Sequence, residues 1–329
     1  MTEEESESEV EESEEEEEDG GNHFDERDLL VDDLLGMLEK GSQNDVKIRL
    51  SDGEITANKD ILVARSEYFA TMFSNNNFIE GTTNCVDMSH FSKVLMEKIV
   101  KYLFSGGAKF SDLSLPQLVE LAHMSKMMLL ENLHDHVDGH IKLDIIPDSG
   151  DDIDQLPELI SGLQLASQYN LTDSGSGLGI VEAFIKELQY GLKLIPIITN
   201  DDAKDSQSFS NLPFNLMKEI IMFDASRIRL RDRPTSIQRF NAFMVWHARN
   251  DITLYDGEGK EIVDSFDFRD FTAEELLTSV RDSGLYPTQK IDERLLELLK
   301  ETIEDVKRFI PKPKLSRIQS IIEYLVKKD

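Results

Sequence analysis

The chain has 329 residues, 40% of them apolar, with 65 acidic against 35 basic side chains and a formal charge of −30. There is room for two ordinary domains with real cores, while so negative a field repels a phosphate backbone and argues against nucleic acid as a partner. A lone cysteine, Cys85, excludes an intramolecular disulfide and a thiolate zinc site.

The first 19 residues hold thirteen acidic side chains and no basic one, leaving 52 acids against 35 bases elsewhere. Residues 1–22 therefore read as a disordered acidic tail. Ser6, Ser8 and Ser13 each precede a glutamate by three positions, a pattern that acidophilic kinases accept, although a solubilising, charge-repelling role explains the same composition. The start is glutamate where a signal peptide is basic and then apolar, and no apolar run approaches the ~20 residues that span a bilayer. Both features predict a cytoplasmic or nuclear protein with no membrane partner.

From Asp25 to Lys40, Leu29, Leu30, Leu34, Leu35 and Leu38 recur at helical spacing, with Gly41 as the stop. This helix is expected outside the compact unit that follows, so its stripe requires a partner. Val46, Ile48 and Leu50 then alternate with Lys47 and Arg49, predicting a strand, a turn at Ser51–Glu54 and a returning strand at Ile55–Ala57. Asp60 is expected to cap a short helix through Arg65, and Ser66 a second one to Phe73. Cys85–Met88 reads as a third strand and Phe91–Phe104 as a helix stopped by Gly106-Gly107. A helix opened by Ser114-Leu115-Pro116 continues with breaks to Leu143.

The string DVKIRLSDGEITANKDILVARSEYFATMF resembles the opening of a BTB/POZ domain: Asp45, Val46, Ala57, Lys59, Leu62, Ser66, Tyr68 and Phe69 fall on family positions. Asn58 stands where the family has histidine, and Val63 intervenes where Leu-Ala is usual. Further on, Tyr102, Phe104 and Gly106 match a Tyr-x-Tyr-x-Gly helix end. The second half is helical. Leu159–Leu171 repeats the logic of Leu118–Leu129, Leu212-Pro213 starts a helix to Phe223, and Thr235–Arg249 carries Phe240, Phe243 and Trp246. With Arg281, Ser283, Gly284 and Leu285 this series resembles a BACK domain. Thr199–Ser210 reads as an insertion, and Pro311-Lys312-Pro313 as a break before a short last helix.

His136 and His140 share a helix face but His134 does not, which predicts a polar helix end and no metal site. Ser174–Gly179 follows a helix and spaces its glycines by two, unlike a dinucleotide fingerprint, so it reads as a joint. Met124, Met127 and Met128 read as core filler, and Trp246 as a core anchor whose indole N–H needs an acceptor. Nothing in the spacing marks a catalytic residue, a metal or a cofactor.

The expected architecture is α+β: the tail at 1–22, a BTB domain with a leading dimerisation helix at 23–143, a BACK-like helical domain at 154–300 and a helical segment at 301–329. The resemblance implies a homodimer through Leu30, Leu34, Leu35 and Leu38. It also implies that Phe78-Ile79-Glu80 meets a cullin-3-type scaffold through Phe78 and Glu80. An unknown target would be read by the BACK region or the termini. The function implied is a non-enzymatic adaptor of a cullin-3 ubiquitin ligase; a scaffold or regulatory BTB protein that binds no cullin is the alternative.

Overall fold

The computed structural model describes residues 27–41, 44–74, 78–146, 155–172, 179–192, 209–222, 234–250 and 257–307. Two compact units divide the chain: residues 1–65 with 75–108, and residues 66–74 with 109–329. The acidic tail, the segment 174–178, most of the 199–210 insertion and the segment after Lys307 lie outside the described residues.

In the first unit a three-stranded sheet has the order β2-β1-β3, with β1 at Val46–Leu50, β2 at Gly53–Ala57 and β3 at Cys85–Met88. Alternation sets the faces: Val46, Ile48 and Leu50 are buried while Lys47 and Arg49 are exposed. β1 and β2 pair antiparallel from Val46↔Ala57 to Leu50↔Gly53, and β3 runs parallel to β1 from Lys47↔Cys85 to Leu50↔Met88. Around the sheet lie α1 (Arg27–Lys40), α2 (Lys59–Arg65), α4 (Ile79–Thr83) and α5 (Lys93–Ser105). Leu62 of α2 and Leu95, Met96 and Ile99 of α5 join Ile48 in the core. α5 stops where Gly106, at φ 73°, donates its N–H to the Tyr102 carbonyl.

Three expectations change here. Asn58, not Asp60, caps α2: its Oδ1 accepts the Ile61 N–H at 3.1 Å, because the helix already begins at Lys59 and a cap stands before the first helical residue. Phe91 is not helical. It is buried ahead of α5, and its carbonyl accepts both the N–H and the hydroxyl of Ser51 at 2.9 Å. The hairpin turn is thus a clamp: Asp52 Oδ1 accepts the Lys93 N–H at 2.7 Å, one of the first amides of α5, whose own N-cap Ser92 makes no side-chain cap. Asp52→Ala should therefore lower stability by about 1 kcal/mol, read as a shift in the denaturant midpoint without a change in slope. Third, α1 is not outside its unit, since it packs against α5.

The second unit is helical. It begins with α3 (Glu67–Ser74), whose preceding Ser66 donates its hydroxyl to the Met128 carbonyl at 3.0 Å. α6 (Leu115–Met127) opens with a Ser114/Gln117 capping box, and α7 (Glu131–His140) runs into a π-turn at Ile141–Ile145. α8 (Leu156–Gln168) and α9 (Ile180–Gly191) form a second hairpin. The sequence repeat is real in three dimensions. After α6, the Leu129 N–H bonds to Lys126 and the Leu130 N–H to Ser125; after α8, Asn170 bonds to Ser167 and Leu171 to Ala166 in the same pattern. Leu129 and Asn170 both have positive φ, at 56° and 52°. α6 and α8 lie side by side, and Glu158 Oε1 accepts the Leu115 N–H at 2.9 Å. Gly162 lets the buried Phe184 ring of α9 close in: a Cβ there would stand 2.6 Å from its Cζ.

Beyond these come α10 (Phe214–Met222), α11 (Ser236–His247), α12 (Gly257–Ser265), α13 (Ala273–Glu275, continued as a π-turn at Leu276–Val280) and α14 (Thr288–Lys307). Trp246 is buried and its Nε1–H donates to the Leu212 carbonyl at 2.8 Å. Met124 and Met128 are core residues. α14 passes through Lys300 without a break; it, α9 and α12 lie where helix was expected without named bounds, whereas α4 stands where a loop was expected.

Candidate functional site

The segment before β3 turns sharply rather than forming a loop. Phe78 is extended (φ −101°, ψ 134°) at the N-cap position of α4 and supplies no side-chain cap. Instead the helix is held from its far end. The Thr82 and Thr83 hydroxyls both donate to the Ile79 carbonyl, at 2.8 and 2.9 Å, and the Asn84 N–H donates to the Glu80 carbonyl at 2.9 Å. Asn84 adopts a left-handed conformation with φ 52°. Its side chain accepts from Lys59 Nζ at 3.0 Å, and its carbonyl from the Lys47 N–H at 2.9 Å, tying α4 to β1 and α2. Two apolar side chains stand out from this braced turn: Phe78 is 45% exposed and Ile79 72%. Glu80 is half-buried, and among the described residues its carboxylate has no partner. Exposed aromatic and aliphatic groups on rigid backbone fit an interface that loses little side-chain freedom on binding. Ile79, expected only as a spacer, is the more exposed of the two.

The second set of expected residues lies on α1. Leu30 is 59% exposed, whereas Leu34, Leu35 and Leu38 are half-buried, partly covered by α5. No described side chain of α1 is fully buried. The stripe is therefore shared: one side rests on its own unit, and the other is open. Leu30, Val31 and Leu34 line one wall of a groove of about 430 Å³ whose other walls are Ile61 and Ala64 of α2 and Leu103 of α5. Sequence periodicity could not have supplied α2 and α5, because their contribution depends on tertiary packing.

The titratable groups of the helical unit read as structure. Both His136 and His140 approach the Phe110 ring, at 5.6 and 5.9 Å, and His140 Nδ1 lies 2.7 Å from Asp144. His134 instead lies 3.0 Å from the Ala122 carbonyl. His123 stacks on Tyr169 at 4.0 Å; burial pushes the nearby Glu120 carboxyl above its ordinary range and, with the Glu120 charge, raises the Tyr169 phenol. Among the described residues no three His, Cys, Asp or Glu side chains converge as a metal site, and no helix is long and apolar enough to cross a membrane.

Comparison with known proteins places this geometry. The BTB/POZ domain profile matches residues 34–141. Rho-related BTB domain-containing protein 1 of Mus musculus is 29% identical over 133 residues, which cover 40% of this chain and 19% of that protein. Rho-related BTB domain-containing protein 2 of Mus musculus is 36% identical over 87 residues, 26% of this chain and 12% of its own length. Kelch repeat and BTB domain-containing protein 2 of Ectromelia virus (strain Moscow) is 27% identical over 114 residues, 34% of this chain and 20% of its own. The chain thus spans a fifth or less of the length of these curated relatives. Sheet, helices and dispersed motifs agree with that match, and the chain carries, over residues 34–141, a BTB/POZ domain, which is a protein-interaction fold and not a catalytic one.

Proposed function

We propose that this protein is a homodimeric BTB adaptor that brings a target protein to a cullin-3-type scaffold. Its contribution is effective concentration: one surface holds the ligase scaffold, another the target, and neither needs an active site. The observation that carries the reading is the exposed Phe78–Ile79 pair on a short helix held from its C-terminal end. Phe78 supplies the apolar knob and Glu80 an acceptor that strengthens as water leaves its edge. The helical region 154–300 is read as BACK-like on the start of α10 after Leu212-Pro213, the buried Trp246, and the turn at Arg281–Leu285, where Gly284 has φ 68°. With the termini, that region is where a target would bind.

Calorimetry against the N-terminal domain of a cullin-3 scaffold tests the proposal. Phe78→Ala should weaken binding by roughly 30-fold, the counterpart of ~2 kcal/mol at an anchoring aromatic, and Glu80→Ala by less. No heat from the wild type at high micromolar concentration would remove the cullin and leave a BTB scaffold or regulatory protein. Equal binding by wild type and Phe78→Ala would keep the adaptor and move its contact elsewhere.

A further inference from the structure

α14 is an amphipathic helix with more apolar surface than its unit covers. Ile291 and Arg294 face inward and are buried, with Leu295 and Leu298 half-buried beside them. Leu296 and Leu299 point elsewhere and are 37% and 44% exposed. Leu277, on the π-turn after α13, is 46% exposed and faces the same space. These three leucines, with Leu295, Asp292 and Thr302, line a groove of about 500 Å³. Exposed leucines scattered singly are ordinary, but several gathered in one groove mark a surface that something covers.

We infer that the groove is covered by the chain's own C-terminal segment, residues 315–326, folded back as an amphipathic helix. Residues 308–329 follow directly on the helix that forms the groove wall. Pro311 and Pro313 prevent α14 from continuing. Past them, Leu315, Ile318, Ile322 and Leu325 recur at spacings of three, four and three, with Ile321 and Val326 widening the stripe. The reach is sufficient. Leu299 and Leu296 lie about 12 and 16 Å back along α14 from Lys307 at 1.5 Å per residue. The connecting stretch 308–314 extends up to about 24 Å, and a helix over 315–326 is about 18 Å long.

Charge supports the same occupant. In a chain of net charge −30, residues 308–329 carry six Lys or Arg against two Asp or Glu. α14 carries six Asp or Glu against four Lys or Arg, and its Glu297 and Glu301, which both pair with Arg294, keep 61% of their side chains in solvent. A basic amphipathic segment tethered beside a leucine groove, on a helix whose own charges leave it acidic by two, has a local concentration that a separate protein lacks. Any partner helix entering the groove must displace it.

Hydrogen–deuterium exchange on the full chain tests this. Amides of residues 315–326 should exchange at least about tenfold more slowly than in an unstructured peptide, corresponding to a docked population of ~90% or more. Ile318→Asp with Ile322→Asp should abolish that protection. So should Leu296→Asp with Leu299→Asp, exposed positions whose change spares the core. Unprotected exchange in the wild type overturns the inference, as does protection that survives the groove pair. Protection that appears only as protein concentration rises overturns it too, giving the groove to a second copy.

Discussion

Leu30→Asp combined with Leu34→Asp should convert a dimer into a monomer at tens of micromolar without unfolding the sheet unit. Leu30 is exposed and Leu34 half-buried, so only part of one side chain's packing within the unit is lost. Burying three such leucines against a second copy is worth roughly 4–8 kcal/mol before association costs are deducted, and a carboxylate forced into that contact must also be desolvated. The dissociation constant should rise by at least about 1000-fold, the equivalent of ~4 kcal/mol. Light scattering after size exclusion reads the mass, and circular dichroism checks the fold. A wild-type monomer at the same concentration would end the dimer proposal, and a variant that stays dimeric would move the interface off α1. Because Phe78 stands at the N-cap of α4 and not on α1, the proposed cullin contact should be left intact by this variant.

The largest stability effect is expected at Trp246. Trp246→Ala removes a buried indole that packs against the Phe214 ring, 5.8 Å between centroids, and strands the Leu212 carbonyl that now receives its N–H. Large-to-small changes of this kind destabilise by about 3–5 kcal/mol, and an orphaned acceptor adds about 1–3 kcal/mol. Trp246→Phe keeps most of the volume and isolates the second effect. Denaturant unfolding followed by far-ultraviolet dichroism should show the helical unit melting early in the alanine variant. A midpoint within error of the wild type for the alanine variant would mean that the indole is not packed in the core, and one within error for Trp246→Phe that its hydrogen bond adds nothing.

The parts of the fold legible in the sequence share a local cause. β1 announced itself by strict alternation, α5 and α6 by an apolar period between a stop glycine or an opening proline, and the BTB unit by several dispersed motifs in one order. α4 was hidden because Ile-Glu-Gly-Thr-Thr has poor helix propensity; its stability comes from two threonine hydroxyls and Asn84. α9 lies in the region expected to be helical, although its own bounds were not named. Its period is in fact legible, with Glu182, Lys186 and Tyr190 on its less buried face. Of the site, Phe78 could be named from its position within a resemblance, but the prominence of Ile79 could not, since exposure is decided by what fails to pack on it. Likewise Asp52 reads as a turn residue; its bond to an amide 41 positions away has no local signature.

The interleaving of the two units bears on how the chain is made. α3 is bracketed in sequence by α2 and α4, yet it is grouped with helices that begin after residue 108, and Ser66 at its start donates to Met128. On the ribosome, every strand of the sheet and the whole of α5 are synthesised before the acceptor of that bond exists. During that interval Phe69 and Phe73, which end up buried, have no finished place to go. A nascent or truncated chain ending near Ala108 therefore lacks the helices with which α3 is grouped and should be more prone to aggregate than the full chain.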